Sequence, residues 1–130
     1  MTLTKTDIQL ALSVLAKEHS GREFYPEVFA DQFGRMALRS LGVRKIIEIK
    51  DRDKTCVGAI LPYGSGRAIK VVLNFLDLYD VSFLQMRLVG NSRGEVVVKS
   101  EYNNVYADQL TEVVAHALSG SKDDAILKIV

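Results

Sequence analysis

The chain has 130 residues, 48% of them apolar and 25% charged, and its 17 Lys+Arg against 16 Asp+Glu leave a formal net charge of +1. That length suits one hydrophobic core and is short for two, and the apolar share is well above that of chains too polar to fold. With 9 Gly, 2 Pro and 1 Cys, the composition excludes collagen-like, low-complexity and disulfide-scaffold classes.

Near the N-terminus, Thr4 and Asp7 have the form of a capping box, and Ile8, Ala11, Leu12, Leu15 and Ala16 repeat at helical spacing up to a stop at Ser20-Gly21. Asp7, Gln9 and Ser13 interrupt this stretch, so it reads as an amphipathic helix rather than a signal peptide. Pro26 suits the first position of a second helix, with Phe24 stapling its start. Val28, Phe29, Phe33, Met36, Ala37 and Leu41 form the side expected to be buried, and Gly42 the stop. Gly34 lies in the middle, which leaves one bent helix or two short ones.

From Arg44 the apolar period changes from 3.6 to 2. Residues 45–50 and 55–61 read as a hairpin around Asp51-Arg52-Asp53-Lys54, with Pro62 ending the second strand. After Tyr63-Gly64-Ser65-Gly66, residues 67–76 read as a third strand on their β-branched content. Residues 80–89 and 95–101 form a second hairpin, whose Gly-Asn loop supplies the positive φ of a short turn. Asn103-Asn104 are placed to cap a last amphipathic helix carrying Tyr106, Leu110, Val113, Val114, Ala117 and Leu118. The expected architecture is a single domain over 1–130 with 121–130 a flexible or docking tail. Its fold class is α+β, a two-layer sandwich of a five-stranded antiparallel meander flanked by two N-terminal helices and one C-terminal helix.

Few residues carry a chemical signature. His19 and His116 are far apart, with no zinc spacing near either, and no metal or cofactor is expected. Cys56 sits among apolar strand residues and reads as a core thiol, and as the only Cys it favours a reducing, cytoplasmic setting. No apolar run approaches the roughly 18 residues of a membrane-spanning helix, so no membrane association is expected. Gly64-Ser65-Gly66-Arg67 lacks the spacing of a phosphate-binding loop, and Asp51 and Asp53 alternate with Lys50, Arg52 and Lys54 on an exposed turn. Ala30 and Gly34 have the spacing of a helix-turn-helix, but Ser40 and Gly42 fall where its second helix should continue.

Charge is segregated. Residues 35–99 hold 12 Lys+Arg against 6 Asp+Glu, between acidic flanks. A nucleic-acid-binding module is therefore one expectation, with Arg44, Lys50, Arg52, Lys54, Arg67, Lys70, Arg87, Arg93 and Lys99 as phosphate contacts. The leading expectation is a non-catalytic protein-interaction or adaptor module, binding another protein or itself as a homodimer. If Ile47/Ile49, Ile69/Val71/Leu73/Phe75 and Leu84/Met86/Leu88 face the helices, Val81, Phe83, Gln85, Arg87 and Val89 lie on an open face and form its interaction surface.

Overall fold

A computed structural model describes residues 10, 12, 14, 15, 19–43, 45–64, 66–89 and 93–117, with the backbone alone at 64, 87–89 and 93–95. Five strands, β1 (Ile47–Lys50), β2 (Cys56–Gly64), β3 (Arg67–Leu73), β4 (Tyr79–Val89) and β5 (Arg93–Val105), pair antiparallel in sequence order. Helices α1 (Pro26–Phe33) and α2 (Arg35–Leu41) precede them, and a 3-10 turn (Ala107–Gln109) leads into α3, residues 110–117. This is the expected α+β sandwich around a five-stranded meander. The tail 121–130, the Thr4/Asp7 box and the 90–92 loop lie outside the described residues.

Local chemistry explains the boundaries. Pro26 opens α1, and Phe24 packs on Phe29 with ring centroids 5.4 Å apart, the staple expected from their spacing. Gly34, at φ 105°, breaks the helical run, so the open alternative resolves to two short helices. Val28 and Met36 are exposed instead of buried, since α1 buries Phe29, Ala30 and Phe33 and α2 buries Leu38. β2 continues through Pro62, past the end of β1, where the β1–β2 ladder has run out. β5 runs on to Val105, so Asn103 and Asn104 belong to the strand; Gln109 caps the following turn by accepting from the Tyr106 N–H at 3.3 Å.

The sheet is buried on both faces. α1, α2 and α3 cover one, where Phe24, Phe29, Phe33 and Leu38 meet Leu61, Ile69, Val71, Val81 and Phe83, together with Leu110 and Val114. Thr111 fastens α3 to α1 by donating its hydroxyl to the Phe33 carbonyl at 2.9 Å. The helical residues Leu10 and Val14 pack on the opposite face, against Ile49, Val57, Ile60, Ala68, Val72 and Leu84. Leu10 and Val14 thus lie across the sheet from α1, α2 and α3. Residues 19–25 run past the sheet end, with the Arg22 N–H donating to the Leu73 carbonyl at 2.8 Å and the Phe24 N–H to that of Cys56 at 2.7 Å. Gly21 permits this approach, because a Cβ there would meet the Leu73 oxygen at 2.4 Å.

Two-sided burial corrects the expected register. Val81 and Phe83 pair across from Val71 and Ile69 and lie under the helical layer, only 1% and 4% exposed. Leu84 and Met86 turn to the opposite face with Ile47 and Ile49. Because side chains alternate along a strand, taking the wrong parity in β4 exchanges its two faces entirely.

Candidate functional site

Of the residues expected on an open face, Val81 and Phe83 are instead buried under the helices. Phe83 is enclosed by the Tyr102 ring, edge-on at 6.2 Å, and Tyr102 in turn meets the ring of His116 on α3 at 6.5 Å. Gln85 is half-buried on β4, and the side chains of Arg87 and Val89 lie outside the described residues. His116, exposed on α3, thus stands edge-on to Tyr102.

The basic residues expected to contact phosphates are dispersed. Lys50 ends β1, Arg52 and Lys54 sit on the β1–β2 turn, and Lys99 is exposed on β5. Arg67 lies over the Tyr63 ring at 5.3 Å, while Lys70 approaches His19 Nε2 at 3.4 Å on the face covered by Leu10 and Val14. Arg44 and the Arg93 side chain are outside the described residues. Among the described residues of this set, Lys50 lies on β1, Arg67 and Lys70 on β3 and Lys99 on β5.

The remaining chemistry-bearing residues serve the fold. Asp51 Oδ1 accepts from the backbone N–H groups of Asp53 and Thr55, each at 2.9 Å, so it shapes the turn. Burial, followed by the hydrogen bond and negative charge of Glu48, pushes the Cys56 thiol up to about 11, and its sulfur donates to the Gly58 carbonyl at 3.4 Å. Burial likewise raises Tyr79, with the charge of Asp77 adding to it. Among the described residues no group of three His, Cys, Asp or Glu side chains is arranged to hold a metal. No described helix is long and apolar enough to cross a membrane.

Two surface features were not anticipated from the sequence. The first is a cleft of about 550 Å³ at the end of the sheet where β3 stops and β4 starts, lined by Tyr25, Val28, Gln32, Tyr79 and Tyr106 with Arg22 and Asp77 at the rim. The Tyr79 hydroxyl donates to Gln32 Oε1 at 2.6 Å, which ties α1 to β4 across the floor. The Tyr25 hydroxyl donates to Glu23 at 2.9 Å, and Arg22 stands 3.9 Å from Asp77. The tyrosines therefore present ring faces while their polar ends are occupied or solvated.

Beside the cleft stands the β3–β4 turn. Its shape comes from Asn74, whose Oδ1 accepts from the Leu76 N–H at 2.9 Å and the Leu78 N–H at 3.2 Å, and whose Nδ2 donates to Asp80 and Asn104, each at 2.9 Å. With Asn74 engaged in this way, the strand ends at Leu73 rather than continuing to residue 76. Phe75 and Leu76 are left on the turn, 71% and 70% exposed. The sequence signal for this was Asn74 with Asp77, a turn-forming pair inside an otherwise strand-like run.

The second feature is a groove beside α2, with Arg35, Arg39 and Lys45 around an apolar floor. No known protein family, curated protein or solved structure matches the chain, so function is argued from these surfaces alone.

Proposed function

We propose that this protein is a non-catalytic cytoplasmic interaction module that pairs with a second copy of itself through the end of the sheet. The observation that carries this reading is the juxtaposition of a convex apolar turn, Phe75-Leu76, with a concave cleft walled by Tyr25, Val28 and Tyr106. A two-fold contact is isologous, so each copy must present both a knob and its socket on the same patch. Here they are neighbours, and the turn of one copy enters the cleft of the other. Tyrosines and a rim arginine are the side chains that interface centres favour, and large exposed apolar groups set side by side are unusual on a monomer. A single cysteine, which has no second one to form an internal disulfide with, agrees with a reducing compartment.

The test is the mass of the protein by sedimentation equilibrium across a range of micromolar concentrations, for the wild type and for Phe75→Asp and Tyr106→Asp. The expected result is a reversible dimer that both substitutions convert to a folded monomer, with far-ultraviolet circular dichroism unchanged. A wild type that remains monomeric throughout, or variants that sediment as dimers, would refute the reading.

A further inference from the structure

The groove beside α2 shares no lining residue with the sheet-end cleft and has a different chemistry. Its construction starts from Gly42. At φ 90° this glycine ends α2 in the left-handed conformation, donating its N–H to the Arg39 carbonyl, while the Val43 N–H bonds that of Leu38, each at 3.0 Å. The chain then doubles back: Val43 is buried beside Leu38, and Lys45 is brought alongside the helix it has just left. Arg35 and Arg39, four residues apart, lie along the same side of α2. Three cations thereby surround a space of about 610 Å³ whose floor is Ala30, Leu38, Val43 and Ile46.

Among the described residues no carboxylate lines this space. Arg35 is partly compensated by Asp31 on the preceding turn, at 2.8 Å, whereas among the described residues neither Arg39 nor Lys45 has an ion-pair partner. Met36 stands at the rim, 76% exposed, and an unbranched thioether can fold over ligands of varied shape. Like charges collected over an apolar floor repel one another and are relieved by an anion, while the floor gains from covering by an apolar body.

We infer that this groove binds a small anionic amphiphile, a carboxylate or phosphate head on a hydrocarbon or aromatic body. The head sits among Arg39, Lys45 and Arg35, and the body lies on Leu38, Val43 and Ile46 beneath Met36. The volume falls within the range usual for small-molecule sites. A polynucleotide fits less well, because among the described residues no aromatic side chain lines the groove for bases to stack on.

The experiment uses the full chain and anilinonaphthalene sulfonate as a fluorescent anionic amphiphile, displaced in turn by decanoate, decanol and inorganic phosphate. Saturable fluorescence that decanoate displaces well below the concentrations needed for decanol or phosphate is the expected result. Arg39→Glu and Lys45→Glu should each weaken binding about tenfold or more, the effect of losing one charged contact, while Arg67→Glu, outside the groove lining, leaves it unchanged. Arg39→Gln keeps the test valid if a charge reversal disturbs folding. Absence of saturable binding, equal displacement by decanol, equal displacement by phosphate, or equal weakening by Arg67→Glu would each overturn the assignment. A monomeric wild type would leave it standing, because the groove and the cleft are built from separate residues.

Discussion

At the scale of single residues, the one nucleophile with a strongly shifted equilibrium is shifted the wrong way for reactivity. A thiol attacks as its thiolate, and burial beside Glu48 holds Cys56 at about 11, so almost none of it is ionised near neutrality. The sign is simple: a thiol whose folded pKa exceeds its unfolded value leaves stability untouched below the unfolded value and lowers it as pH rises through the window between the two. Cys56 should accordingly react with a disulfide reagent at pH 8 about a hundredfold more slowly than a free cysteine, and at the ordinary rate once the chain is unfolded in denaturant. Fast labelling of the folded protein would show that the thiol is not held this way. Gly58 makes a second residue-scale argument, since a Cβ there would stand 2.2 Å from the Val71 carbonyl oxygen and 3.0 Å from the Val72 Cα. Both neighbours are backbone of β3, where Gly58 pairs with Val72 at one end of the β2–β3 ladder, and no flexible side chain is there to move aside. Gly58→Ala should cost at least about 2–3 kcal/mol in denaturant unfolding, and a change smaller than 1 kcal/mol would contradict the packing described.

At the scale of elements, the β3–β4 turn links stability to the proposed contact. Asn74→Ala removes two acceptor bonds to turn N–H groups and two donor bonds to Asp80 and Asn104. The site is largely solvated, so water replaces part of what is lost, and the cost should be about 1–2 kcal/mol of folding stability. Dimerisation should fall further than stability does, because Phe75 and Leu76 lose the turn that presents them; equal losses in both would separate the turn from the interface. The same strand shows how far sequence alone reaches. Element order, the hairpins and the Phe24–Phe29 staple were legible because turn residues and caps act over a few positions. The β4 register was not. Val81 and Phe83 occupy one parity and Leu84 and Met86 the other, and with both sheet faces covered, each parity is apolar. Alternation then carries no information about direction, and the expected surface of Val81 and Phe83 became core. The cleft was hidden for another reason: Tyr25 and Tyr106 are more than eighty positions apart, and only the fold brings them to one sheet end.

At the scale of the whole molecule, a net charge of +1 conceals two surfaces with different physics. The sheet-end patch is aromatic and aliphatic, with its nearest charges, Arg22 and Asp77, set against each other. The groove beside α2 gathers cations, with no carboxylate in its lining among the described residues. Salt distinguishes them, because ions screen exposed charges over a distance of about 8 Å at physiological strength, whereas apolar burial is unaffected or strengthened. Raising sodium chloride from about 0.05 M to about 1 M should therefore leave the dimer dissociation constant unchanged or lower it, while weakening decanoate binding several-fold. Both quantities come from one protein preparation, by sedimentation and by fluorescence displacement. A dimer that dissociates as salt rises would mean that charges, not Phe75 and the tyrosine cleft, hold the copies together, and the contact would then have to be sought among the basic residues of 35–99.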